Sequence, residues 1–201
     1  DLIVNIDEGK DVRIYGISFE GNKNFSDGDL KSEMDETIEK KWWKFWRSNK
    51  FDKKKYSEDK KRIIDFYRKN GFRDAEVIKD SIWYGNSKEE MYIKIFVNEG
   101  EKYFIRNIDW VGNTLYSDTV LNERLGLKPG DVYNAEKLEK NLRQNEQQTD
   151  VSSLYMDIGY LRFYVIPEEI PVAKDSIDIN FRVLEGKQFR IAKVDIKGNT
   201  K

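Results

Sequence analysis

Three stretches of the chain carry one phrase: Ile14-Tyr15-Gly16-Ile17-Ser18-Phe19-Glu20-Gly21-Asn22, Ile105-Arg106-Asn107-Ile108-Asp109-Trp110-Val111-Gly112-Asn113 and Ile191-Ala192-Lys193-Val194-Asp195-Ile196-Lys197-Gly198-Asn199. Each alternates apolar and polar residues, the period-two pattern of a half-buried strand. Each closes on Gly-Asn, a turn that tolerates positive φ. A second landmark stands upstream of every copy: Glu8-Gly9-Lys10, Glu99-Gly100-Glu101-Lys102 and Glu185-Gly186-Lys187. Both landmarks recur at intervals of 91 and 86 residues. Matching spacing at two landmarks marks an internal repeat. The 201 residues are therefore read as the end of one module (1–9), two complete modules (10–100 and 101–186) and the first strand of another (187–201). The chain opens inside a strand-like run, Leu2-Ile3-Val4-Asn5-Ile6, and so reads as a piece of a longer protein. The last piece lacks helices of its own, and its strand is expected to fray or to borrow a surface.

Four helix starts share a signature. Phe25-Ser26 precedes Leu30, Phe51-Asp52 precedes Tyr56, Tyr116-Ser117 precedes Leu121, and Tyr133-Asn134 precedes Leu138. In each, an aromatic at N′ faces an apolar residue at N4 across a capping side chain, the hydrophobic staple. Two helices per module follow. The second helix of the first module presents Tyr56, Ile63, Ile64 and Tyr67 on one face and stops at Asn70-Gly71. Its counterpart carries Leu138 and Leu142, breaks over the polar residues 145–149, and resumes near Asp150 with Val151, Leu154, Tyr155 and Ile158 at helical spacing. Two strands then close each module: 75–83 and 91–98 in the first, 161–166 and 176–184 in the second. The order β-α-α-β-β predicts an α+β fold, a three-stranded mixed sheet with two helices on one face.

Composition removes several function classes. The chain has no Cys and no His. Disulfides, thiolate metal sites and Cys nucleophiles are excluded, and the commonest general base and metal ligand are missing. The net charge of -1 gives no global field to select nucleic acid. No run of 18 apolar residues is present to span a bilayer as a helix. Asp74, Glu76 and Asp80 lie close together near a strand, but 37 acidic residues produce such groupings anyway, and a solvated edge is the simpler reading. Gly28 and Gly126 are isolated, and Lys128-Pro129-Gly130-Asp131 is a turn, so no loop cradles a phosphate. Catalytic, cofactor and metal residues are expected to be absent.

The element order, the strand-Gly-Asn phrase, the helix end Tyr-x-x-x-Gly-[Phe/Tyr] (Tyr67 to Phe72 and Tyr155 to Tyr160) and the terminal Glu-Gly together resemble the POTRA (polypeptide-transport-associated) family. The resemblance covers nearly the whole chain. Trp42-Trp43-Lys44-Phe45-Trp46, Gly71-Phe72-Arg73-Asp74-Ala75 and Thr149-Asp150-Val151-Ser152-Ser153-Leu154-Tyr155 look like the arms of BamA-type outer-membrane assembly factors of the Bacteroidetes. Within such an arm they look like the third and fourth modules. The resemblance implies a non-enzymatic role at the outer membrane, on its periplasmic side. It implies unfolded outer-membrane proteins, accessory assembly lipoproteins and the protein's own C-terminal membrane barrel as partners, with no nucleic acid and no cofactor. A POTRA arm of a secretion or import transporter is the alternative. A periplasmic enzyme fragment is opposed by the missing His and Cys and by the repeat.

An open three-stranded sheet leaves unpaired N–H and C=O groups along its edges, where an extended chain can add as a further strand. The resemblance places the exposed edge on the second strand of each module. Candidate edge residues are Glu76, Val77, Ile78 and Lys79 in the first module, and Arg162, Phe163 and Tyr164 in the second. The competing reading is an edge that is merely solvated or blocked by a neighbouring module. Residues 40–55 are the compositional outlier, with eight Lys/Arg against one Asp, and five aromatics. There Trp42, Trp43, Phe45, Trp46 and Arg47 are candidates for contact with a protein partner or a membrane surface. Against this, Trp42, Phe45 and Trp46 could cover the module's own sheet or helices while Lys stems lie alongside. Stacking on single-stranded nucleic acid is a minor third reading. Three Trp within five residues cannot all face one helix stripe, so at least one ring is expected in solvent. The short Glu-Gly junctions make Gly100 and Gly186 candidate hinges of a semi-rigid arm.

Overall fold

The computed structural model describes residues 12–40, 50–143, 145–195 and 198. The chain forms two compact units, Asp1–Glu101 and Lys102–Lys201. The first contains β1 (Arg13–Glu20), α1 (Asp27–Ser32), α2 (Lys53–Lys69), β2 (Glu76–Tyr84) and β3 (Glu90–Asn98). Its sheet has the order β1-β3-β2. The last strand is central, antiparallel to its hairpin partner β2 and parallel to β1. Met91, Ile93, Ile95 and Val97 alternate along β3 into a core shared with Leu30 of α1 and with Ile63 and Tyr67 of α2. The second unit repeats the plan with β4 (Phe104–Val111), α3 (Asp118–Leu125), α4 (Ala135–Arg143), α5 (Val151–Met156), β5 (Tyr164–Ala173) and β6 (Ser176–Leu184), in the order β4-β6-β5. The α+β order expected from the sequence is the observed one, including the split of the second module's second helix into α4 and α5.

The helix starts form as their residues dictate. Ser26 and Asp29 make a reciprocal capping box on α1. Asp52 accepts from the N–H groups of Lys54 and Lys55 at 2.8 and 3.0 Å, and the Phe51 ring lies 5.6 Å from that of Tyr56. Asn134 caps α4 through Lys137 N–H at 2.8 Å. Ser117 occupies the cap position of α3 without a side-chain bond.

The repeated phrase has a physical explanation in both units. Gly21 and Gly112 have φ of +95° and +94°, and a Cβ there would stand 2.0 Å from Val97 O and 2.5 Å from Val183 O. The chain leaving the first strand passes directly over the backbone of the central strand, which glycine alone permits. The following Asn shapes the turn. Asn22 donates to Phe25 O and Asp27 Oδ1, both at 3.0 Å. Asn113 donates to Tyr116 O at 2.9 Å and Asp118 Oδ1 at 2.8 Å.

In both described units the Glu of Glu-Gly fastens the module shut. Glu99, only 5% exposed, accepts from Asn24 N–H at 3.0 Å, Asn24 Nδ2 at 2.6 Å and the Tyr67 hydroxyl at 3.0 Å. Glu185 accepts from Thr114 N–H at 2.7 Å, Leu115 N–H at 3.0 Å, the Tyr155 hydroxyl at 3.3 Å, and the Thr114 hydroxyl. Burial pushes the Glu185 carboxyl up, but these bonds outweigh burial and hold it below its ordinary range. Burial, then the neighbouring carboxylate, pushes the Tyr67 and Tyr155 phenols above theirs. The Tyr of Tyr-x-x-x-Gly and the Glu of Glu-Gly are thus two halves of one contact.

The third copy of the phrase forms no strand over 187–195. The first two copies are edge strands, each paired with a central strand about seventy residues further on. Residues after Gly186 instead lie against the end of α5. Phe189 N–H donates to Gly159 O at 2.8 Å, and Gln188 Nε2 to Ile158 O at 2.9 Å.

Candidate functional site

With the last strand central, each sheet has two edges, and the four edges differ in what they offer. The β1 edge is occupied by the chain's own loops. Lys40 N–H donates to Ile14 O at 2.7 Å and Phe51 N–H to Val12 O at 3.1 Å. The N–H groups of Ile17 and Phe19 donate to the carboxylates of Glu39 and Asp27 at 2.7 and 3.2 Å. Glu39 is held by Lys31 at 2.9 Å. The first half of β4 is covered likewise: Ile105 bonds Asp131 O and Gly130 N–H at 2.8 and 2.7 Å, and Tyr103 O accepts from Tyr133 N–H at 3.0 Å.

The β2 edge is different. Nearly all its residues are exposed. A bulge lies between Val77 and Lys79 and leaves Ile78 62% exposed. Of the expected edge residues, Glu76 and Val77 precede the bulge, Ile78 forms it and Lys79 follows it. The regular edge is therefore 79–84, further along than the sequence suggested. There Asp80, Ile82 and Tyr84 stand opposite the core residues Ile95, Ile93 and Met91, while Lys79, Ser81 and Trp83 point to the other face. Trp83 stacks on Tyr92 with centroids 5.8 Å apart, and Lys79 lies 4.6 Å over the Phe96 ring. Beside this edge runs a groove against α2, about 490 Å³ in volume, lined by Ser57, Lys60, Lys61, Ile64, Asp65, Arg68 and Val77. Lys60 pairs with Asp80 at 2.8 Å. Burial pushes the Asp80 carboxyl up, but the Lys60 ammonium beside it is the main influence that offsets burial and holds it below its ordinary range. Asp80 is thus a paired, half-buried group and not a merely solvated acid.

The β5 edge corrects the expectation of a strand over 161–166. Arg162 lies in a turn, and Phe163 is buried, its ring stacked 3.9 Å from that of Tyr155. The Gly159-Tyr160 turn continues through Phe163, whose N–H donates to Tyr160 O at 2.9 Å, so neither residue belongs to the edge. The strand starts at Tyr164 and runs to Ala173 through Pro167 and Pro171. Proline is compatible with an edge position, where its missing N–H is not needed by the ladder.

Gly100 and Gly186 both take the left-handed conformation, with φ of +68° and +72°. Trp42, Trp43, Phe45, Trp46 and Arg47 lie outside the described residues. Sequence reasoning missed Asp59. This fully buried carboxylate of α2 accepts from the N–H groups of Asp35, Glu36 and Thr37 at 2.6–3.4 Å and pairs with Arg62 at 2.9 Å. It fixes the loop that follows α1. Among the described residues no group of His, Cys, Asp or Glu could hold a metal ion. No helix among them is long and apolar enough to cross a membrane.

Comparison with known proteins decides the family. The model of the POTRA family, described as a surface antigen variable number repeat, matches residues 12–100 and 103–186. The chain belongs to the POTRA family. POTRA modules are non-enzymatic. Among curated proteins, the chain is 30% identical over 203 residues to the outer membrane protein assembly factor BamA of Neisseria meningitidis serogroup B, with 100% of this chain and 25% of the relative covered. It is 26% identical over 204 residues to BamA of Neorickettsia risticii, covering 100% of this chain and 26% of that one. The chain therefore spans about a quarter of the length of these relatives. Among solved structures, POTRA modules 3–5 of Haemophilus influenzae BamA superpose with a TM-score of 0.66 at 21% identity, covering 97% of this chain and 75% of that one. BamA of Haemophilus ducreyi lacking modules 1–3 gives a TM-score of 0.57 at 15% identity, covering 87% and 29%. These likenesses establish the tandem POTRA fold.

Proposed function

We propose that these POTRA modules belong to the periplasmic arm of an outer-membrane protein assembly factor and hold unfolded outer-membrane proteins as extended chains by strand addition. The observation that carries the reading is a regular, solvent-facing sheet edge beside a groove, on a module without catalytic chemistry. Main-chain hydrogen bonds carry no sequence information, so one edge serves many clients, each held weakly. The barrel strands of such clients run about ten residues, long enough to cover 79–84. The named relatives are outer-membrane assembly factors, which supports the same setting. Accessory assembly lipoproteins, and a membrane barrel C-terminal to the arm, complete the expected partners. By composition, Trp42, Trp43, Phe45, Trp46 and Arg47 are a second candidate contact. Titrating a barrel-strand peptide into the isotope-labelled chain tests strand addition. Amide shifts along a sheet edge support it, and shifts confined to the helices refute it.

A further inference from the structure

The two modules share a fold, yet their second strands offer different edges. In β5, Pro167, Glu169 and Pro171 stand opposite Phe181, Ile179 and Ile177 of the central strand, with side chains on the helix face. Residues of one parity in a strand share both a face and an in-plane direction for their N–H and C=O groups. Proline survives in a strand where its absent N–H would have pointed away from the ladder. The helix-face residues of β5 are therefore those whose backbone groups point outward. An incoming strand would meet them first. At Pro167 and Pro171 it would find no donor, and a pyrrolidine ring in its path.

The same geometry governs β2, the equivalent strand of the first module, which is likewise antiparallel to its own central strand. Its helix-face residues are Asp80, Ile82 and Tyr84, and none is proline. With β1 capped by Glu39 and Asp27, and β4 covered by residues 130–133 up to Ile105 so that only its short end past Asn107 is open, β2 is the longer edge able to pair. The bulge at Val77 confines pairing to 79–84.

A strand added there would send alternate side chains into the groove against α2. The groove is cationic: Lys60, Lys61 and Arg68 outnumber Asp65 and Asp80. Lys61 and Arg68 form no ion pair among the described residues. Ile64 and Val77 supply its apolar floor. We infer that strand addition favours β2 of the first module, that Pro167 and Pro171 close β5, and that the preferred occupant is an extended segment that alternates apolar with acidic residues and turns the acidic ones to the groove. This rests on the strand-addition reading above.

The test uses the 201-residue chain and two synthetic peptides of about ten residues, one alternating Val with Glu and one Val with Lys. With the Glu peptide, amide shifts are expected at 79–84 and not along β5, with a stoichiometry of one. Pro167→Val with Pro171→Val is expected to open β5 and raise the stoichiometry to two. Ile82→Pro brings the same block to β2 without touching its ladder to β3, and is expected to weaken binding about tenfold, as losing one or two net hydrogen bonds would. Amide dispersion confirms that each variant is folded. Equal shifts at β2 and β5 in the unaltered chain, or an opened variant that gains no second site, would overturn the edge assignment while leaving strand addition standing. Binding at neither edge would overturn both. Equal affinity for the Lys peptide would overturn the groove's charge preference.

Discussion

Glu99→Ala is the substitution that best tests how a module is held together. The carboxylate accepts from three donors, of which the Tyr67 hydroxyl belongs to a side chain with no solvent exposure. Without Glu99 that hydroxyl is stranded, at a cost of about 1–3 kcal/mol. Asn24 is exposed and its N–H and amide can turn to water, so losing its bonds to a charged acceptor adds about 1–2 kcal/mol. The sum is about 3 kcal/mol, a large part of the stability of a domain this size. A double-mutant cycle sharpens the test. Tyr67→Phe alone should cost about 1 kcal/mol, but in the Glu99→Ala background it removes a stranded donor and should cost nothing or stabilise, giving a coupling near 1–2 kcal/mol. Urea unfolding followed at the amides of Ile93 and Ile95 reports on this module. A loss under about 0.5 kcal/mol for Glu99→Ala, or additive single changes, would refute the argument that this contact is structural.

Gly21→Ala should destabilise the first module by more than about 3 kcal/mol, because left-handed backbone costs about 1 kcal/mol and the new Cβ meets Val97 O, a backbone atom that cannot step aside. Gly130→Ala, also at positive φ but with open space around it, should show only the backbone cost by thermal unfolding. Asp59→Ala should cost about 3 kcal/mol, since it strips three loop N–H groups of their acceptor and leaves Arg62 only the exposed Asp35 as a partner; urea midpoints would measure it. Acid should weaken the second module through Glu185. Its carboxyl is held below the ordinary value of 4.5, so the stabilisation is full above that value and is lost as pH falls through the lower folded one. Between pH 7 and 3 the urea midpoint of this module should fall less steeply for Glu185→Gln than for the unaltered chain.

What was legible in the sequence is what is encoded locally. Caps such as Ser26 and Asp52, and the alternation of β3, are written within a few residues, and each formed where its chemistry placed it. The repeat was legible too, but its cause was not. Gly21-Asn22 read as a turn, whereas the need for glycine comes from Val97, 76 residues away. The edges were the least legible part. Nothing near Ile17 announces that Glu39 caps its N–H. The expected second strand of the other module stopped ahead of Pro167, although that proline is accepted because the strand is an edge. The buried turn at Arg162 and Phe163 depends on a packing partner, Tyr155, that local pattern cannot supply.

The central place of β3 bears on how a module comes into being. The strand that both others pair with is the last to be synthesised, and Glu99, which ties it to the loop at Asn24, follows it. Neither β1 nor β2 pairs with the other. An unfinished module therefore has helices but no sheet, and its long-range pairings form only when the chain has grown past residue 99. Each module is an all-or-nothing unit of growth, and a deletion that removes only β3 should leave a first module that does not fold.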